Sequence, residues 1–179
     1  MAILDNIRNV MNKVIRIVCI LLFAFMVIIG TYQILVRYIF NSPSTVSEEL
    51  LTYSFTWMSL FAAAYVFGKR EHMRMGFLAD KLNKKKLTIL NAIIEIIIIA
   101  FALIVMVYGG ISITSLSMTQ KTASLGIPMG YVYIVIPITG VVIAVYGVLA
   151  LIYIFPPRAL IRSYQALRSF TKSYPRLER

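Results

Sequence analysis

Metal and nucleophilic chemistry have little to work with in this chain. Its 179 residues include one cysteine, one histidine and seven acidic side chains. A lone Cys19 excludes an intramolecular disulfide and a thiolate metal cluster, and a lone His72 excludes a His-rich metal site. Charge is scarce altogether: 14% of residues are charged and 60% hydrophobic, whereas a soluble domain carries about 25% and 45–50%. An ordinary water-soluble fold is therefore excluded. The acids are scattered, and no paired carboxylates or Ser/His set share one side, so the sequence offers no enzyme active site. No cofactor-binding motif is present either.

What the chain does have is long uncharged runs. Residues 17–36 lie between Arg16 and Arg37 without a charge, and residues 50–68 lie between Glu49 and Lys69. A third run starts at Leu87 and reaches about Ile113, interrupted only by Glu95; a fourth falls at about residues 129–155. Crossing the hydrocarbon core takes about 20 apolar residues in a helix. Barrel strands would be about 10 residues with alternating polarity, and a run such as IIEIIIIAFALIVMV does not alternate. The expected fold is an all-α integral membrane protein of four transmembrane helices, forming a single membrane domain over residues 1–179. Its spans are expected at about 17–36, 48–68, 87–113 and 129–155, and the first is too long for a cleaved signal peptide.

The basic residues set the expected orientation. The excess of 18 Lys and Arg over seven acids would suggest nucleic acid in a soluble protein. Here topology explains it, because only Arg37 and Lys121 fall on the side of the first and third connections. The other basic residues sit in the N-terminal segment, the loop around residues 69–86 and the tail 156–179. The positive-inside bias then puts both termini in the cytoplasm, with no role for nucleic acid. Apolar residues at helical spacing among charges, Ile3, Leu4, Ile7, Val10, Met11 and Val14, predict an amphipathic interfacial helix at about residues 2–14 against membrane phospholipids. Leu160, Ile161, Tyr164 and Leu167 repeat that pattern near the C-terminus.

Few residues inside the spans carry polar chemistry. Glu95 forms a stripe with Thr88 and Asn91. It reads either as a proton or cation site or as a helix-contact residue. Glu48, Thr52, Thr56 and Ser59 step along one face of the second span, joined by Ala62 and Ala63. Small and hydroxyl residues permit close helix approach, either inside the bundle or against another membrane subunit. Thr45 to Glu48 has capping-box spacing, which accounts for Glu48 and Glu49. The alternative pairs one of these acids with Arg37 across the turn at Asn41-Ser42-Pro43. Trp57 lies too deep for an interfacial belt and is a packing residue or a partner anchor. Pro137 removes the hydrogen bond to the Tyr133 carbonyl and is expected to kink the fourth span. His72 and Arg74 mark the cytoplasmic edge after the second span.

The order of these segments resembles a known family. Arg37-Tyr38-Ile39-Phe40 closes the first span and Ser47-Glu48-Glu49-Leu50 opens the second. Trp57, Phe61-Ala62-Ala63-Ala64 and His72-Met73-Arg74-Met75 follow, then Ser124-Leu125-Gly126-Ile127-Pro128, Tyr133, Pro137 and Gly140. Over about residues 15–155 the chain resembles the small membrane subunit, the DctQ-like permease component, of a TRAP (tripartite ATP-independent periplasmic) transporter. Ala62 stands where that pattern often has Gly. The resemblance implies a non-catalytic subunit in the bacterial inner membrane, within a sodium-coupled uptake system for organic acids of the sialic acid or dicarboxylate class. It implies two protein partners: a large elevator-type membrane subunit holding the substrate and sodium sites, and a transient periplasmic binding protein. Carried over, Thr52, Thr56, Trp57, Ser59, Glu95 and Pro137 are candidates for the large-subunit interface. Arg37, Glu48 and Glu49 are candidates for periplasmic docking or ion pairing. The rival expectation is a self-sufficient, proton-coupled four-helix exporter using Glu95.

Overall fold

The computed structural model describes residues 2–69 and 84–154. His72, Arg74 and the C-terminal amphipathic pattern lie outside those residues. Four helices are long and apolar enough to cross a membrane: Leu4–Ile39, Thr45–Lys69, Lys86–Ser117 and Gly130–Ile154. The all-helical expectation holds throughout the described residues.

The first helix, Ala2–Ile39, runs unbroken for 38 residues. The amphipathic N-terminal stretch is therefore continuous with the helix of the first span. No Pro or Gly stands before Gly30 to interrupt it, and three of its polar residues, Asp5, Arg8 and Asn12, bond to other helices. Its inward positions, among them Ile15, Val18, Leu22, Met26, Ile29, Gln33 and Val36, recur at helical spacing and form one narrow seam. The seam packs on the second helix, with Gly30 close to Leu51. The helix ends where Asn41 takes a left-handed φ of 50°, a conformation Asn tolerates better than most residues. The chain then folds back, with the Ser42 amide donating to the Val36 carbonyl at 3.3 Å.

The second helix, Thr45–Lys69, is capped one residue earlier than the sequence spacing predicts. Ser44 is the N-cap: its Oγ accepts from the Ser47 amide at 3.4 Å and from the Ser47 hydroxyl at 2.9 Å. Ser supplies a short acceptor for an otherwise unpaired first-turn amide. Glu48 is left exposed in the first turn, where the helix dipole favours an anion.

The third span changes helical type in its middle. Lys84–Phe101 is α-helical, Ala102–Gly109 is a π-helix, and Gly110–Ser117 returns to α. The fourth span is interrupted once, between Gly130–Tyr133 and Val135–Ile154. The interruption falls at Ile134, beside the Tyr133 carbonyl that Pro137 cannot serve. Pro137 and the third span meet closely, since a Cβ on Gly110 would lie 2.9 Å from Pro137 Cδ.

The fourth helix is the centre of the bundle. Half of its apolar window is buried, against 6–11% for the other three. The second helix and the third span both pack on it, while the first packs chiefly on the second. Where those three meet, Ala64, Ala102, Ile143 and Ala144 form the core, with Phe67, Ile98, Met106 and Val142 around them. Alanines at the crossing let backbones approach, which is how helices associate where lipid supplies no hydrophobic drive.

Candidate functional site

Two features of the described surface are built rather than merely apolar: a stripe along the second helix and a clamped connection at one end of the bundle. The stripe follows from helical periodicity. Glu48, Thr52, Thr56, Ser59, Ala63 and Val66 recur every three or four residues, so they share one face. All six are exposed, while Ser47, Ser54, Ala64 and Gly68 on the opposite face are buried. The stripe spans about 27 Å at 1.5 Å per residue. The sequence left open whether this face served the bundle or another subunit; it points away from the bundle. Two of its hydroxyls are satisfied locally, Thr52 donating to the Glu48 carbonyl at 2.9 Å and Thr56 to the Thr52 carbonyl at 3.0 Å. The surface is therefore smooth and small instead of a row of unmet polar groups, and it suits a closely packed helix.

The clamp joins the start of the second helix to the connection between the third and fourth spans. That connection is a short hairpin: Thr122 donates its amide to the Ile127 carbonyl at 2.9 Å, and Met129 donates to the Gln120 carbonyl at 2.8 Å. The Thr122 side chain accepts from the Ile127 amide at 3.2 Å, and Gly126 turns the tip with φ of 67°, a region open to glycine. Glu49 holds the tip from across the molecule. Its two carboxylate oxygens accept the amides of Ser124 at 3.1 Å and Leu125 at 3.0 Å. The acid thus goes to backbone amides of the hairpin. Arg37, offered by the sequence as an ion-pair partner for Glu48 or Glu49, is exposed with its guanidinium 6.0 Å from the Tyr38 ring centre.

Hydrogen bonds to a charged acceptor are worth about 1.5–3 kcal/mol when well made. Glu49→Ala is therefore expected to free the hairpin tip while leaving the helices intact. Amide exchange at Ser124 and Leu125 should accelerate by about tenfold or more, with exchange in the fourth helix unchanged. Unaltered protection at both amides would show that the hairpin holds itself.

The other candidates are engaged within the chain. Trp57 is half-buried, donates Nε1–H to the Val132 carbonyl at 3.0 Å, and meets Phe61 edge to face. Pro137 is half-buried against Gly110. Glu95 is half-buried, and a Cβ on Gly147 would lie 3.7 Å from its Oε2, so the carboxylate faces the fourth helix. Thr52, Thr56 and Ser59 remain as the outward-facing members of that set. Sequence reasoning missed the Glu49 clamp, since nothing in the spacing of Glu49 and Ser124 brings them together. It also missed the contacts of Arg8 and Asn12 at the opposite end, where Arg8 Nε donates to the Gly68 carbonyl at 2.6 Å and Tyr146 donates to Asn12 Oδ1 at 2.7 Å. Among the described residues, no three His, Cys, Asp or Glu side chains gather as a metal site would require.

Four helices long and apolar enough to cross a membrane, one of them with small and polar residues on its outer face, define a helical membrane protein. Comparison with known proteins specifies the family. The family model described as tripartite ATP-independent periplasmic transporters, DctQ component, matches residues 26–156, and the chain belongs to that family. It is 25% identical over 139 residues to a TRAP transporter small permease protein of Haemophilus influenzae, covering 78% of this chain and 86% of that one. It is 28% identical over 143 residues to the sialic acid TRAP transporter small permease protein SiaQ of Vibrio cholerae, covering 77% and 79%. The chain is thus a small permease component of a transporter and a non-catalytic one. Membership implies association with a large membrane subunit and a binding protein.

Proposed function

We propose that this chain scaffolds the large, substrate-carrying subunit of a sodium-coupled, binding-protein-dependent transporter for organic acids. The observation that carries this is the outward stripe Glu48, Thr52, Thr56, Ser59 and Ala63, a helix-packing surface on which no helix among the described residues lies. In this reading the stripe seats the large subunit in the bacterial inner membrane, both termini are cytoplasmic, and the remaining apolar faces meet phospholipid. The Asn41 turn and the Glu49-clamped hairpin then lie on the periplasmic side. There Arg37, Glu48 and the hairpin tip extend the surface on which the binding protein docks. A relative named for sialic acid supports the sialic acid class over dicarboxylates. Uptake of an anion calls for a polar midplane site, and the described spans offer chiefly Glu95, an acid, which suits a supporting subunit.

The test is uptake into liposomes with the binding protein outside and an inward sodium gradient. Three preparations are compared: this chain alone, the large subunit alone, and both together. Labelled sialic acid is expected to accumulate only with both. Transport by this chain alone, abolished by Glu95→Gln, would replace the scaffold with the self-sufficient exporter.

A further inference from the structure

The end of the bundle opposite the Glu49 clamp holds a small cleft where three helices meet. It is a shallow, open cleft, with Arg8, Tyr146 and Tyr153 as its polar walls and Phe67 and Leu149 among its apolar ones. Arg8 is fixed by one bond, from Nε to the Gly68 carbonyl at 2.6 Å. Gly68 is the penultimate residue of the second helix, where carbonyls lack partners and the dipole is negative. That bond orients the guanidinium, and its two terminal nitrogens have no partner among the described residues. The tyrosines are fixed as well. Tyr146 donates to Asn12 Oδ1 at 2.7 Å, and the Tyr153 hydroxyl is bonded to Asp5. Among the described residues, Asp5 is the acid facing this corner, and its carboxylate is bonded to that hydroxyl. Lys69 adds a second cation beside the cleft, 5.1 Å over the Tyr65 ring centre.

Depth decides what such a cleft meets. Lys69 ends the uncharged run of the second span, so the Gly68 carbonyl marks the edge of the hydrocarbon and Arg8 sits at headgroup level. A guanidinium held by one bond to a helix end, above an apolar wall, matches a phosphodiester carrying acyl chains. Basic pockets between spans at this depth take anionic headgroups.

We propose that this cleft binds the headgroup of an anionic phospholipid, with the phosphate on Arg8 and an acyl chain along Phe67 and Leu149. The site depends on the membrane embedding and not on the scaffold reading, so the transport experiment can fail without touching it.

Native mass spectrometry of the full-length chain, released from micelles containing equal phosphatidylglycerol and phosphatidylcholine, tests it. Phosphatidylglycerol adducts should outnumber phosphatidylcholine adducts by about fivefold, the effect of about one basic contact at a membrane surface. Arg8→Gln keeps an amide donor for Gly68 but removes the charge, and it should bring the ratio to near unity. Lys13→Gln, at an exposed position on the same helix, should leave it unchanged. Equal adducts in the unaltered chain, or a preference that survives Arg8→Gln, would overturn the proposal, and the first outcome does not depend on any variant folding. Inorganic phosphate is added in a further arm. Loss of the phosphatidylglycerol preference at millimolar phosphate would mean that the site takes a free anion and not a lipid.

Discussion

Gly140→Ala is expected to destabilise the protein clearly, although it adds one methyl group at a helical position where alanine is intrinsically the better residue. The reason is the fourth helix's approach to the π-helical turn. A Cβ at residue 140 would stand 2.7 Å from Met106 Cβ, 3.1 Å from Val107 Cγ2 and 3.2 Å from the Met106 carbonyl carbon. Two of those atoms belong to the backbone or its first branch, so they cannot swing aside; the helices must separate. Overpacking of this kind costs about 1–3 kcal/mol, and the contact lies at the central helix, where half the apolar window is buried. Gly109→Ala is the matched control on the facing span. Its Cβ would meet only the Ile104 carbonyl oxygen, at 3.8 Å, and the loss of backbone freedom in the unfolded chain should make it neutral or slightly stabilising. Thermal denaturation in detergent should therefore lower the midpoint for Gly140→Ala by several degrees and leave Gly109→Ala level with the parent or above it. Equal midpoints for the two variants would mean that the third and fourth spans are not packed as described.

That contrast also shows what could be read from the sequence and what could not. Charge-free runs revealed the four spans because a charge in hydrocarbon is costly wherever it sits, and the cost needs no knowledge of neighbours. Pro137 announced a break by removing its own amide, and the interruption does fall one helical turn before it, at Ile134. The stripe on the second helix was visible as a period, since periodicity is local. Which way the stripe faced was not, because that depends on where the fourth helix lies. The same limit hid the Glu49 clamp, the Ser44 cap in place of the Thr45 spacing, and the π-helix at Ala102–Gly109. The cap is a choice between neighbouring residues with near-equal local options, whereas the clamp and the π-helix involve contacts tens of residues away: Glu49 with Ser124, Gly140 with Met106. The N-terminal segment illustrates the point from the other side. Its amphipathic pattern suits a membrane surface, and what the pattern did not show is that Arg8 and Asn12 take partners from the second and fourth helices on a helix continuous with the span.

Ala63→Trp is expected to have the largest functional effect of any exposed substitution in the second helix. Ala63 lies on the outward face toward its Lys69 end, with Ser59 before it and Val66 after it, all exposed. A helix seated on small residues approaches closely enough for van der Waals contact along its length, and in lipid that contact is the main source of association. An indole on the stripe holds the partner off along the neighbouring turns. An overpacking cost of about 1–3 kcal/mol translates into an affinity loss of about 10–100-fold. Co-purification on a tagged large subunit should fall accordingly, and sodium-driven uptake should fall with it. The chain itself should remain as stable as the parent, because residue 63 touches none of the buried core formed by Ala64, Ala102, Ile143 and Ala144. Ile28→Trp on the first helix, where Ile28 is 67% exposed, supplies the comparison, since an apolar residue facing lipid tolerates a larger apolar one. Full association and uptake with Ala63→Trp, together with their loss in Ile28→Trp, would move the large subunit from the second helix to the first. The small-residue stripe would then be a surface for lipid alone.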